Sequence, residues 1–134
     1  MTMKLSKKQT QAIDILEDKT TNVLLYGGGA GGGKSMLGVY WILKSALKYK
    51  KTRWVIGRSR LKILKETTLQ SFFEVCSMQG LKANIDYTYN ETKSLITLHY
   101  SQSEILLKDL FRMPSDPQFD ALGSLEISGC FIDE

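Results

Sequence analysis

Residues 27–35, GGGAGGGKS, have the side chains and spacing needed to hold phosphate. Gly28, Gly33, Lys34 and Ser35 satisfy G-x-x-x-x-G-K-[ST], the Walker A pattern of a P-loop. Glycines let successive backbone N–H groups converge on phosphate oxygens, where a Cβ would obstruct them. Gly28, Gly29, Ala30, Gly31, Gly32 and Gly33 therefore form an anion-binding nest. Lys34 can set a point charge against the β and γ phosphates, and the Ser35 hydroxyl can join the shell of the accompanying Mg²⁺. These roles imply ATP and Mg²⁺ as ligands. A flexible glycine linker is the alternative, but the pattern arises by chance in only roughly half a percent of chains this long. An apolar run, Val23-Leu24-Leu25-Tyr26, precedes the loop and a long apolar segment follows, which is the order strand, loop, helix.

A triphosphate site of this kind needs carboxylates at the end of a neighbouring strand. Ser128-Gly129-Cys130-Phe131-Ile132 runs apolar into Asp133 and Glu134. Asp133 would hold the Mg²⁺ shell, and Glu134 would act as general base on the attacking water. Arg58 emerges after the apolar run at residues 52–57, on the sheet edge where ligands sit, and can reach a γ phosphate. Arg60 and Arg112 are further arginines that could face phosphate, and an ordinary surface ion pair is the alternative for Arg58 and Arg60. Gln9 lies upstream of the loop, where its amide could bond both edges of adenine. A solvent-exposed polar residue is the other reading of Gln9, and Gln11 is close enough to be confused with it.

Several elements must position these groups. Ser6 can cap a helix bearing Ala12, Ile13 and Leu16 on one face, laid against the sheet and ending near Asp18. Residues 21–26 form an apolar core strand, and residues 34–49 a helix packed between the sheet and another layer. Lys48, Lys50 and Lys51 mark that helix's exit and suit its dipole. Residues 52–57 form a second strand, parallel to the first. Leu61, Leu64, Thr68, Phe72 and Val75 recur at helical spacing up to Gly80, which predicts one amphipathic helix with Phe72 and Phe73 in the core. The period then becomes two. Ile85, Tyr87, Tyr89, a turn at residues 90–93, then Ile96, Leu98 and Tyr100 predict a β-hairpin over 85–100. Its tyrosines suit cross-strand packing better than base stacking. Residues 104–108 add a strand, and residues 109–120, holding both prolines, a loop.

With 134 residues, 43% apolar and 24% charged, the chain is one ordinary globular domain rather than a disordered segment. The net charge of +4 is compatible with a nucleic-acid partner, but the lysines and arginines are dispersed. Cys76 and Cys130 lie in apolar elements and read as buried free thiols of a reducing compartment. The single His99 and the absence of a Cys/His cluster argue against zinc. The N-terminus lacks a secretory signal, and the apolar run at 36–43 is too short to cross a bilayer.

Taken together, LSKKQ, LLYGGGAGGGKS, VIGRSRLKILKETTLQSFF, SEILLKDL and FDALGSLEISGCFIDE resemble the N-terminal ATPase region of bacteriophage terminase large subunits over nearly the whole chain. The resemblance implies an α/β P-loop NTPase fold of the additional-strand, catalytic-glutamate type. This is a three-layer sandwich with a mostly parallel central sheet, here incomplete, with a hairpin insertion around 85–100. It implies a packaging motor that hydrolyses ATP to drive double-stranded DNA into a procapsid, in the cytoplasm of a bacterial host. The implied partners are that DNA, the terminase small subunit, the capsid portal and further copies of the motor. By position it puts Gln9 at adenine, Lys34 and Ser35 at phosphate and Mg²⁺, Asp133 at Mg²⁺, Glu134 at the water, and Arg58 at the arginine that follows the second core strand.

The family's later ATPase strand and its nuclease domain are not among these 134 residues. The expectation is a partial ATPase domain over residues 1–134 that binds nucleotide but hydrolyses it weakly, with an unpaired apolar edge at residues 21–26. A non-catalytic protein-binding module built on a truncated P-loop domain, or a helicase-type ATPase, are the alternative functions.

Overall fold

The computed structural model describes residues 4–18, 24, 33–110 and 126–133. Helix α1 (Lys7–Leu16) begins as expected at Ser6, whose hydroxyl accepts from the Gln9 backbone N–H while the Gln9 side chain accepts from the Ser6 N–H. This reciprocal pair satisfies donors that the first helical turn leaves unpaired. Among the described residues α1 makes its packing contacts with another helix rather than with a strand of the sheet. Its Ala12 and Ile13 pack with Leu37 of helix α2 (Lys34–Lys48), and Leu24, Tyr40 and Trp41 flank them. α2 is apolar on more than one side because it meets α1 with Leu37 and the sheet and α4 with Val39, Ile42, Leu43 and Ala46.

Strand β1 (Arg53–Arg58) follows, then α3 (Leu61–Glu66) and α4 (Thr68–Met78). The single helix expected over this stretch is in fact two, because Thr67 takes φ −122°, ψ −72° and interrupts it. Thr67 donates its hydroxyl to the Ile63 carbonyl at 2.7 Å, and the side chain of Thr68 turns elsewhere. Adjacent β-branched residues whose hydroxyls compete for hydrogen bonds weaken a helix at that point.

β2 (Tyr87–Asn90) and β3 (Leu95–Leu98) form the expected hairpin, with the turn one residue later than expected, at residues 91–94. Ile85 and Tyr100 lie outside its strands and are exposed. The hairpin extends the main sheet, for β3 pairs antiparallel with β4 (Glu104–Asp109). β4 and β5 (Gly129–Ile132) flank β1 in parallel, and the strand order is β2-β3-β4-β1-β5. Among the described strands only β3 runs against the others, so the sheet is mixed, open and mostly parallel.

Trp54, Ile56, Ile105, Leu107, Ile96, Leu98 and Tyr87 share one face of the sheet and form the main core with α2 and α4. Phe131 joins them from β5 at a place where α2 must come close. A Cβ on Gly38 would collide with the Phe131 ring, so glycine there permits the helix to seat on the strand. Cys76 is buried in this core, which pushes its thiol up to about 12. Cys130, expected to be buried, is exposed, because the alternation of β5 turns it to the face opposite Phe131. No described helix is long and apolar enough to cross a membrane. The strand expected over residues 21–26 and the loop over 109–120 lie outside the described residues, apart from Leu24, Asp109 and Leu110.

Candidate functional site

Parallel strands β1 and β5 end side by side, and their last residues define the site. The Asp133 backbone N–H donates to the Gly57 carbonyl at 2.9 Å, so the acid is fixed one step beyond β5 and level with Arg58. Ligands of open α/β sheets sit at these carboxyl ends. The Asp133 side chain is buried, at 5% exposure, and its Oδ2 atom accepts from three donors. Ser35 Oγ lies 2.7 Å away, Thr68 Oγ1 2.6 Å and Arg58 Nη1 3.3 Å.

Each donor comes from a different element. Ser35 is on the first turn of α2, Arg58 ends β1, and Thr68 is the first residue of α4. Ser35 and Asp133, 98 positions apart in sequence, are thus in direct contact. Arg58 also reaches Thr67 Oγ1 at 3.2 Å and Thr68 Oγ1 at 3.4 Å. Its side chain is 22% exposed, so this ion pair is only partly open to solvent and is screened less than a surface pair.

Gly33 stands immediately before α2 with φ +74°, a left-handed conformation that favours glycine. Its carbonyl accepts from Gln9 Nε2 at 3.2 Å. Gln9 is accordingly not a solvent-exposed residue. It is buried, with its amide oxygen on the Ser6 N–H and its nitrogen on the end of the glycine-rich stretch. Lys34 is half-buried at the start of α2.

The structure thus brings together Gln9, Gly33, Ser35, Arg58 and Asp133 of the residues singled out in the sequence, with Lys34 beside them in the chain. Arg60 is an exposed residue preceding α3. Gly28, Gly29, Ala30, Gly31, Gly32, Arg112 and Glu134 lie outside the described residues. Sequence reasoning treated Thr68 as part of an apolar helical face and missed its place in the site. A signal was available: a hydroxyl in a row otherwise made of Leu61, Leu64, Phe72 and Val75 needs a polar partner once that row is buried.

The donor set suits a hard divalent cation that arrives with its own oxygen ligands. A serine hydroxyl and a carboxylate are oxygen donors of the kind Mg²⁺ takes, and Mg²⁺ commonly adds substrate phosphates to one or two protein ligands. Among the described residues no group of three or more His, Cys, Asp or Glu side chains could hold a metal unaided.

No protein-family model matches the chain, and no curated protein does. Solved structures do match. A crystal structure of the large terminase from a thermophilic bacteriophage superposes with a TM-score of 0.77 at 14% identity, covering 98% of this chain and 32% of that one. The same protein in complex with ADP gives 0.75 at 13% identity, over 96% and 31%. Another structure of it, in the same crystal form as the ADP complex, gives 0.68 at 14% identity. The chain therefore has the fold of one part of a large terminase and spans about a third of that protein's length.

Proposed function

We propose that this chain is the nucleotide-binding part of an ATP-driven DNA-packaging motor of the terminase type. The observation that carries the reading is the contact between Ser35 and Asp133 at 2.7 Å. It sets the hydroxyl of the glycine-rich motif against the acid that ends a neighbouring parallel strand, as a P-loop ATPase requires for Mg²⁺·ATP. The fold shared with the large terminase of the thermophilic phage, one structure of which holds ADP, supports the same reading.

In this reading the backbone of residues 28–33 and the α2 N-terminus receive the phosphates, and Lys34 adds a charge to them. Ser35 and Asp133 would hold Mg²⁺, which when bound neutralises charge on the β and γ phosphates. Glu134 takes a proton from the attacking water. Gln9 lies at the adenine, on the nitrogen proton and oxygen lone pair that Ser6 and Gly33 leave over. Arg58 starts from Asp133, so contact with a γ phosphate requires it to exchange one anion for another. Double-stranded DNA, a small subunit, a portal and further copies of the motor are the partners that go with this function.

Titration of labelled ATP with and without Mg²⁺ tests the proposal. The expected result is Mg²⁺-dependent binding that Lys34→Ala and Asp133→Asn each weaken by about tenfold to a hundredfold, the worth of one charge-assisted contact. No binding by the unaltered chain, or binding indifferent to both substitutions, would overturn it.

A further inference from the structure

We infer that Thr68 is the positioning residue for Asp133, holding its carboxylate for the cation that accompanies a bound nucleotide; this rests on the Mg²⁺·ATP reading above. Three donors converge on Asp133 Oδ2, and they are not equivalent. Ser35 Oγ donates its proton to Asp133 and keeps its lone pairs for a cation, so its position answers to the ligand as well as to the acid. Arg58 makes the longest of the three contacts, 3.3 Å, from a side chain that is 22% exposed, and it divides its Nη1 among Asp133, Thr67 and Thr68. Thr68 has no solvent exposure and makes the shortest contact, 2.6 Å, within the range of an O–H to carboxylate bond.

Geometry around Thr68 leaves its hydroxyl little choice. Its neighbour Thr67 commits its own hydroxyl to the Ile63 carbonyl, and the break in the helix at Thr67 is what presents Thr68 to Asp133 rather than to the turn before it. The hydroxyl gives its proton to Asp133 and faces Arg58 Nη1 with its remaining lone pair, so Arg58, Thr68 and Asp133 form a short relay in which each bond polarises the next. Four residues on, on the same face of α4, Phe72 is fully buried in the core. With Ser35 shared with the cation and Arg58 drawn toward phosphate, Thr68 is the donor to Asp133 that takes no part in holding the ligand. Groups that orient a ligating carboxylate in this way typically change metal affinity by about ten- to a hundredfold when removed.

The test is ATP binding titrated against Mg²⁺ in the unaltered chain, Thr68→Val and Thr68→Ser, with binding in EDTA and thermal unfolding measured in parallel. Thr68→Val should raise the Mg²⁺ concentration for half-maximal binding by about tenfold or more. Binding in EDTA should change by less than about twofold, since the phosphate nest is untouched. Thr68→Ser, which keeps the hydroxyl, should restore the Mg²⁺ dependence. A merely structural role would shift unfolding and binding in EDTA together, and that result would overturn the inference. So would a Thr68→Val curve that coincides with the unaltered one. If Thr68→Val does not fold, Thr68→Ala replaces it with the same expected split. Failure of the unaltered chain to bind Mg²⁺·ATP would instead remove the functional reading itself.

Discussion

At the β2–β3 side of the sheet, Tyr87 lies against Phe72 and Phe73 with ring centroids 6.0 and 6.2 Å apart, and Tyr89 lies 5.8 Å from Phe73. At the β1–β5 side, one buried carboxylate accepts from three donors. The first region gains its stability from apolar area and ring packing, which are non-directional and tolerate small displacements. The second depends on hydrogen bonds that weaken steeply with distance and angle. Consequently the aromatic side holds the scaffold, and the carboxylate side converts that scaffold's rigidity into placement of a charge. Helix α4 joins the two, with Thr68 at one end of the comparison and Phe72 and Phe73 at the other.

Substitutions that strike one region should therefore separate stability from ligand binding. Phe72→Ala removes a fully buried ring, and unfolding in denaturant should show a loss of about 3–5 kcal/mol. At temperatures where this variant stays folded, its Mg²⁺ dependence of ATP binding should match the unaltered chain; a shift there would mean that the aromatic cluster also sets the acid. Gly38→Ala probes the junction. Its new methyl would collide with the Phe131 ring, and the expected cost is about 1–3 kcal/mol of overpacking, offset by about 1 kcal/mol of helix propensity. Because β5 carries Phe131 and leads to Asp133, this variant should weaken Mg²⁺-dependent binding as well as stability, unlike Phe72→Ala.

The smallest expected effect concerns the two thiols. Burial holds the folded Cys76 pKa near 12, above the unfolded thiol, so its contribution to stability is complete below about pH 9 and is lost as pH rises toward 12. The unfolding free-energy difference between the unaltered chain and Cys76→Ala should shrink across that interval. In the folded protein at pH 8, a thiol-specific reagent should modify exposed Cys130 and leave Cys76 intact. Equal reactivity would mean that the α4 side opens more readily than its packing indicates.

Local and periodic features were legible in the sequence. The Ser6 cap, the long α2 with its several apolar faces, the hairpin and the short strand before Asp133 follow from contacts within a few residues or from period alone. The break at Thr67 was not legible, because Leu64, Thr68, Phe72 and Val75 keep helical spacing across it and the competing hydroxyl contacts are visible only in three dimensions. Which face of β5 turns inward was not legible either, since Cys130, Phe131 and Ile132 are all apolar and the exposure of Cys130 depends on which elements cover the other face of the sheet.

Of the site, the sequence by itself determined the chemistry: a glycine-rich run ending in Lys34 and Ser35, an acid after an apolar strand, and an arginine after another. Only the tertiary structure decided how those groups meet. It set Asp133 beside Ser35, gave Arg58 a carboxylate as its resting partner, turned Gln9 inward onto Gly33, and added Thr68. The physical reason is that residue types set what a group can donate or accept, whereas which donors share one oxygen depends on parallel pairing and helix seating between segments far apart in the chain.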